Sequence, residues 1–132
     1  MHFKQMEIQS INPHDQTIVG SVKISTPIDI ENAVLTARKA FDSWRKTDVR
    51  SRCALVGNLV SKLEENRDKL ANLMTLEMGK TLQQSLGEID SEIEFVKYYS
   101  ANGVEFLSDE SVFKNSTDIS KVTYEPYGVC VC

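Results

Sequence analysis

The chain is poor in cysteine, proline, histidine and tryptophan, has no surplus of basic charge, and contains no long apolar run. Each shortage excludes a class of protein. Three cysteines, Cys53, Cys130 and Cys132, form an odd set without framework spacing, which argues against a disulfide-stapled secreted scaffold and fits a reducing compartment. Cys53 falls at a helical position and reads as small apolar filler. Cys130-Val131-Cys132 puts two thiols on one face of a strand, but no His or Cys cluster elsewhere completes a set of four ligands. The pair therefore reads as strand filler. The two histidines, His2 and His14, fall in a tail and a turn, where exposure is the expectation.

Fifteen Lys and Arg stand against nineteen Asp and Glu, for a formal net charge of −4, and the cations are dispersed along the chain. A phosphate backbone would find no electrostatic stripe, so nucleic acid is not an expected partner. No apolar segment approaches the roughly 20 residues of a membrane span, so neither is a membrane. Met1-His2-Phe3-Lys4-Gln5-Met6-Glu7 lacks both the apolar centre of a secretory signal and the Arg-rich character of a transit peptide, and a cytoplasmic location is expected. At 132 residues the chain is sized for one domain or less, with a modest core. It has no internal repeat.

The segments that are present can be placed in order. Glu7–Ile11 and Thr17–Ile24 are extended, β-branched runs around Asn12-Pro13-His14-Asp15-Gln16, which predicts a hairpin. Val22 and Ile24 alternate with Ser21 and Lys23, so one face of the second strand seeks cover. Thr26-Pro27-Ile28-Asp29 opens a helix, with Thr26 as cap, Pro27 in the first turn and Asp29 facing the dipole. Ile30, Ala33, Val34, Ala37, Phe41 and Trp44 then form one apolar face. A second helical stretch runs from about Val49 to Met78 with Val56, Leu59, Val60, Leu63, Leu70, Leu73 and Met74 inward. The polar run 64–68 interrupts it, which predicts a break near Asn66, and Gly79 ends it in a left-handed conformation.

The third stretch, about Thr81 to Leu107, carries Leu82, Leu86, Ile89, Ile93 and Val96 at spacings of four and three, a bundle-like seam. At helical spacing Trp44, Tyr98 and Tyr99 read as core. Residues 108–120 read as a loop or irregular strand, 121–126 as a strand ending at its proline, and Tyr127–Cys132 as the start of another. The continuous apolar run Val129-Cys130-Val131-Cys132 suits a strand buried on both faces, as in a parallel sheet, which requires further βα units. The fold-class expectation is therefore α/β, with this stretch itself mainly α-helical: an N-terminal hairpin, three amphipathic helices and C-terminal strands of an incomplete sheet.

In this order the chain resembles the aldehyde dehydrogenase superfamily. The resemblance rests on Ile11-Asn12-Pro13; on Asp29-Ile30-Glu31-Asn32-Ala33-Val34 with Ala37-Arg38, Ala40-Phe41 and Trp44; and on 63–68 with Leu70-Ala71. Glu77-Met78-Gly79-Lys80-Thr81, Gly87-Glu88, Tyr98-Tyr99 and Glu125-Pro126-Tyr127-Gly128-Val129 extend it over nearly the whole chain. Glu77-Met78-Gly79-Lys80 is most similar to the succinate-semialdehyde branch.

The resemblance implies that residues 1–132 are an N-terminal portion ending at the first strand of a dinucleotide-binding core, with NAD or NADP serving the complete enzyme. The Pro-Trp-Asn motif, the nucleotide-binding segments, the general-base Glu and the nucleophilic Cys of the family do not occur in these residues. Neither Cys130 nor Cys132 has a His or carboxylate nearby in sequence to activate it. The expectation is that the chain alone holds no dinucleotide and oxidises no aldehyde.

Three local expectations follow from the same resemblance. Gly87 and Ser91 would border the aldehyde access tunnel, although Gly87 also fits close helix packing. A structural cation would sit between Ser10 or Ile11 and Glu77, against the simpler reading of a solvated Glu77 paired with Lys80. The strand near Val122 and Tyr124 would pair with another subunit, so the expected partners are further copies of this chain or full-length homologous subunits. A free-standing helical interaction module is the competing reading, and uncovered helix faces predict self-association.

Overall fold

The computed structural model describes residues 6–131, so Cys132 and His2 lie outside the described residues. Strands β1 (Glu7–Ile11) and β2 (Ile18–Lys23) pair antiparallel with Glu7 opposite Lys23, and the register shifts between Ser10 and Ile11. The turn closes as its residues dictate. Asn12 is buried, its Oδ1 accepts the His14 N–H at 3.0 Å, and its own N–H donates to the Thr17 carbonyl at 2.8 Å. Asp15 Oδ1 accepts from both the backbone and hydroxyl of Thr17, which is the Asx-type turn chemistry favoured at such positions. The predicted hairpin is present with its predicted turn.

Four helices follow: α1 (Pro27–Trp44), α2 (Val49–Gly57), α3 (Leu59–Met78) and α4 (Leu82–Phe106). α1 begins in a full capping box, with the Asp29 N–H donating to Thr26 Oγ1 at 3.2 Å and the Asp29 carboxylate accepting the Thr26 N–H at 2.8 Å. α3 ends at Gly79 with φ of 71°, as expected of a left-handed terminus. α4 starts from a second capping box, Thr81 with Gln84. The middle stretch divides at Asn58, eight residues before the expected break near Asn66. Asn66 does not interrupt α3 because its side-chain amide donates to the Lys62 carbonyl of its own helix at 2.9 Å.

α2 and α3 both pack along α4, and β1 touches α3. The core lies where α3 crosses α4: Ala71, Ile89 and Ile93 are buried, with Val60, Leu63, Leu70, Met74 and Leu86 around them. Each fully covered isoleucine contributes on the order of 1.5–3 kcal/mol. Ser85 is buried in the same seam, and its hydroxyl meets that of Thr75 at 2.9 Å. Two ion pairs clamp the flanks. Arg67 grips Asp90 through Nε and Nη2 at 2.5 and 2.6 Å, and Lys80 reaches both carboxylate oxygens of Glu88 at 2.5 and 2.7 Å.

A second hairpin, β3 (Glu110–Lys114) with β4 (Ile119–Val122), occupies residues read in part as a loop or irregular strand. Its ladder is antiparallel with a register shift between Ser111 and Phe113. The turn closes on Asn115 Oδ1, which accepts from the Thr117 and Asp118 N–H groups. The expected strand over Tyr127–Cys132 is not formed in its described part: residues 123–131 have no ladder partner. A strand is defined by a neighbour that takes its backbone bonds, and these residues run instead beside α1. Gly128, at φ of 119°, comes close to the Phe41 ring, and Glu125 reaches Arg45 at 4.0 Å.

Candidate functional site

The expected tunnel residues sit on the first half of α4. Gly87 is exposed, and a Cβ built on it meets nothing within 4 Å, so close helix packing is not what a glycine serves there in this structure. One turn on, the Ser91 hydroxyl donates back to the Gly87 carbonyl at 2.9 Å. Ser91 then opens onto a shallow groove of about 520 Å³ lined by Asp90, Glu94, Phe95, Tyr98 and Tyr99. Gly87 and Ser91 therefore share an open helix face that continues into aromatic surface.

The aromatic residues there are not core. Tyr98 and Tyr99 are 55% and 56% exposed and pack against each other edge to face, with Phe95 stacked on Tyr99. Trp44 is also 40% exposed. Their helical spacing is right, but nothing in the described chain lies over that face. Val56, Leu59, Leu73 and Leu82, expected inward, are exposed for the same reason, as are Val22 and Ile24 on β2.

Around the expected cation site the structure brings the first hairpin against the end of α3. Pro13 Cγ stands 2.8 Å from where a Cβ on Gly79 would lie, which places the turn directly on the helix terminus. Glu77 is exposed in the last turn of α3, and Lys80 pairs with Glu88, so the simple Glu77–Lys80 pair does not form. No group of three His, Cys, Asp or Glu side chains gathers among the described residues. A cation here would have to draw on backbone carbonyls near Ser10 and Ile11 with the single carboxylate of Glu77.

Titratable groups are perturbed at helix starts and at one cross-helix pair. Hydrogen bonds from Thr26 hold the Asp29 carboxyl below its ordinary range, and those from Ser51 do the same for Asp48. The Arg67 hydrogen bond lowers Asp90, while Asp90 in turn raises Arg67. Tyr124 donates its hydroxyl to Glu110, and that bond pushes the phenol upward. These groups tie structure together.

A pyrophosphate sits by preference on open N–H groups at a helix start. α1, α2 and α4 are instead closed by their own side chains, two of them with carboxylates, Asp29 and Asp48, and α3 continues from α2 without a free turn. Gly79, the left-handed glycine, has Pro13 filling the space beside it. The described residues do not fit a dinucleotide.

Sequence reasoning missed two features. Cys53 on α2 lodges against Gly103 of α4, whose missing Cβ would stand 2.7 Å from its Sγ. Arg52 Nε is sealed from solvent without a hydrogen-bond partner among the described residues. The spacing of small residues on α4 signalled neither, because both depend on how α2 is rolled against α4.

Comparison with known proteins supplies the context for this geometry. The model of the aldehyde dehydrogenase family matches residues 2–132. Malonate-semialdehyde dehydrogenase of Bacillus velezensis is 37% identical over 120 residues, covering 90% of this chain and 24% of that protein. A probable methylmalonate-semialdehyde/malonate-semialdehyde dehydrogenase of Dictyostelium discoideum is 35% identical, with 90% and 22% covered. A crystal structure of betaine aldehyde dehydrogenase from Staphylococcus aureus, in complex with NAD+, superposes with a TM-score of 0.82 at 31% identity, over 92% of this chain and 25% of that one. The chain thus spans about a quarter of the length of the relatives it matches. With a match along almost every described residue and the same backbone path in solved relatives, the chain belongs to the aldehyde dehydrogenase family.

Proposed function

We propose that this chain forms the amino-terminal part of an NAD(P)-dependent aldehyde-oxidising enzyme and does not oxidise aldehydes alone. The observation that carries the reading is the family match over residues 2–132 together with the quarter-length coverage of relatives. Aldehyde oxidation in this family requires a thiolate to attack the carbonyl, donors to hold the oxyanion and a nicotinamide to accept hydride. Residues that could supply these steps are not assembled here, so the chain's contribution is to shape and to bind.

In that role α4 walls the aldehyde's access path. Ser91 and the aromatic surface at Phe95, Tyr98 and Tyr99 set its width, and Gly87 leaves room one turn earlier. The β3–β4 hairpin, uncovered on both faces, pairs with a neighbouring subunit. A cation bridging Ile11 and Glu77 would brace the first hairpin on α3. The likeness along nearly the whole chain to enzymes favours this reading over a free-standing interaction module.

The substrate class is a short aldehyde that carries a carboxylate. Relatives named for malonate and methylmalonate semialdehyde support that class, and succinate semialdehyde belongs to the same set. NAD is the first cofactor to test, since the Staphylococcus aureus structure holds NAD+.

The test fuses this chain in place of the matched quarter of the Bacillus velezensis enzyme and assays malonate, methylmalonate and succinate semialdehydes with NAD and NADP. The fused enzyme is expected to turn over at least one, and the 132-residue chain alone none. Ser91→Phe in the fused enzyme should raise KM for the aldehyde about tenfold with the KM for NAD unchanged. Turnover by the chain alone, or an aldehyde KM indifferent to Ser91→Phe, refutes the corresponding part.

A further inference from the structure

The end of α1, α2 and the last turns of α4 enclose a trough of about 500 Å³, with Trp44, Val56, Tyr99, Phe106 and Leu107 along it and Arg52 in its wall. Its apolar residues remain exposed, Tyr99 by 56% and Phe106 by 46%. An apolar trough alone says nothing about its occupant. Arg52 does: its Nε is withdrawn from solvent with no acceptor among the described residues, an uncompensated cost to the chain as it stands. Guanidinium groups are retained at half-buried positions where a planar acceptor meets their fork.

The local charge points the same way. Residues 45–52 carry Arg45, Lys46, Arg50 and Arg52 against one carboxylate, Asp48, in a chain whose net charge is −4. Asp48 is already engaged, accepting the Ser51 N–H at 3.0 Å and its hydroxyl at 2.6 Å. Arg45 lies over Phe41 and near Glu125. The trough therefore opens beside a basic segment whose carboxylate is spoken for, and it suits an occupant that is apolar with one acidic group.

Resting on the family reading above, we propose that the trough seats a polypeptide segment from the part of an aldehyde dehydrogenase that this chain does not span. That segment lays an apolar side chain against Trp44, Val56 and Phe106 and turns a carboxylate to Arg52. Relatives about four times as long that share this backbone supply such a segment. The alternative occupant, a small amphiphilic carboxylate, would use the same chemistry without the partner chain.

The test co-expresses this chain with the unmatched remainder of the Bacillus velezensis enzyme. Cys53, which lines the trough and is half-buried, reports occupancy through its rate of alkylation by iodoacetamide. The expected result is a one-to-one complex in which Cys53 alkylation slows about tenfold or more. Arg52→Gln should weaken it about 30-fold or more, as for loss of a buried charge partner. Arg52→Lys, which keeps the charge and guards against misfolding, should weaken it less, and Arg50→Gln should leave it intact.

Absence of a complex, an unchanged affinity in both Arg52 variants, or Cys53 equally reactive in the complex overturns the proposal. So does protection of Cys53 by decanoate alone when the remainder gives none, which would assign the trough to the small carboxylate. Activity of the fused enzyme separates the two levels. A fused enzyme that works while the two-chain complex fails removes this inference only, whereas an inactive fused enzyme removes the reading beneath it.

Discussion

Replacing Gly103 by alanine should have opposite effects depending on what stands at position 53. An alanine Cβ at 103 would lie 2.7 Å from Cys53 Sγ, well inside the roughly 3.5–4.0 Å of a favourable nonbonded contact. Either the thiol leaves its rotamer or α2 separates from α4, and overpacking of this kind costs about 1–3 kcal/mol. Alanine also gains up to about 1 kcal/mol over glycine inside a helix. Gly103→Ala alone should therefore destabilise by about 0–2 kcal/mol. In a Cys53→Ala background the obstruction is gone, and the same change should stabilise by up to about 1 kcal/mol.

The cycle predicts a coupling of about 1–3 kcal/mol between the two positions, within the range for residues in contact. Urea unfolding followed by tryptophan emission measures it directly, because Trp44 is the sole tryptophan and lines the same trough. Additivity within about 0.5 kcal/mol would mean that Cys53 and Gly103 do not meet, and the packing of α2 on α4 would have to be redrawn.

Gly79→Ala should destabilise by about 1–2 kcal/mol from its left-handed backbone alone, since φ is 71°, with more from Pro13 Cγ 2.8 Å away. Adding Pro13→Ala should recover only the crowding, and a thermal melt unchanged by Gly79→Ala would refute the cap. Acid should weaken the α3–α4 clamp. The Asp90 carboxyl is held below its ordinary 3.8 by the Arg67 hydrogen bond, so the unfolded chain takes up that proton first. Its contribution is complete above that value and lost as pH falls through the lower, folded one. Asp90→Asn should flatten the acid limb of stability, leaving the slope due to Asp29 and Asp48; an unaltered limb would contradict the pairing. Sedimentation velocity should show self-association that grows with concentration, reduced by Val112→Lys or Val122→Lys on the exposed second hairpin. A single monomeric species at all concentrations would refute it.

Local chemistry was readable without coordinates wherever a few neighbouring residues settle it. Thr26-Pro27-Ile28-Asp29 closes its own helix start, Asn12 to Thr17 satisfies its own turn, and Gly79 alone tolerates the left-handed terminus. The Ile89–Ile93 seam was legible because the two sides of α4 differ in polarity. Asn66 was misread as a breaker because its side chain offered a competing bond, which it makes within its own helix.

Faces whose cover lies elsewhere were not legible. Tyr98, Tyr99 and Trp44 have the periodicity of core residues and stand exposed, and the apolar run at 129–131 has strand composition without a strand beside it. Periodicity reports which side of an element is apolar, not whether anything lies upon it.

Family membership, the hairpin and its turn, the caps and the helix limits were set by contacts a few residues apart in sequence, so the order of side chains alone determined them. The division at Asn58, the Arg67–Asp90 clamp, the fit of Cys53 to Gly103 and the unpartnered Arg52 Nε were decided only in three dimensions. Each depends on the roll and separation of one helix against another, which is set by the sum of many weak packing contacts and has no local signature.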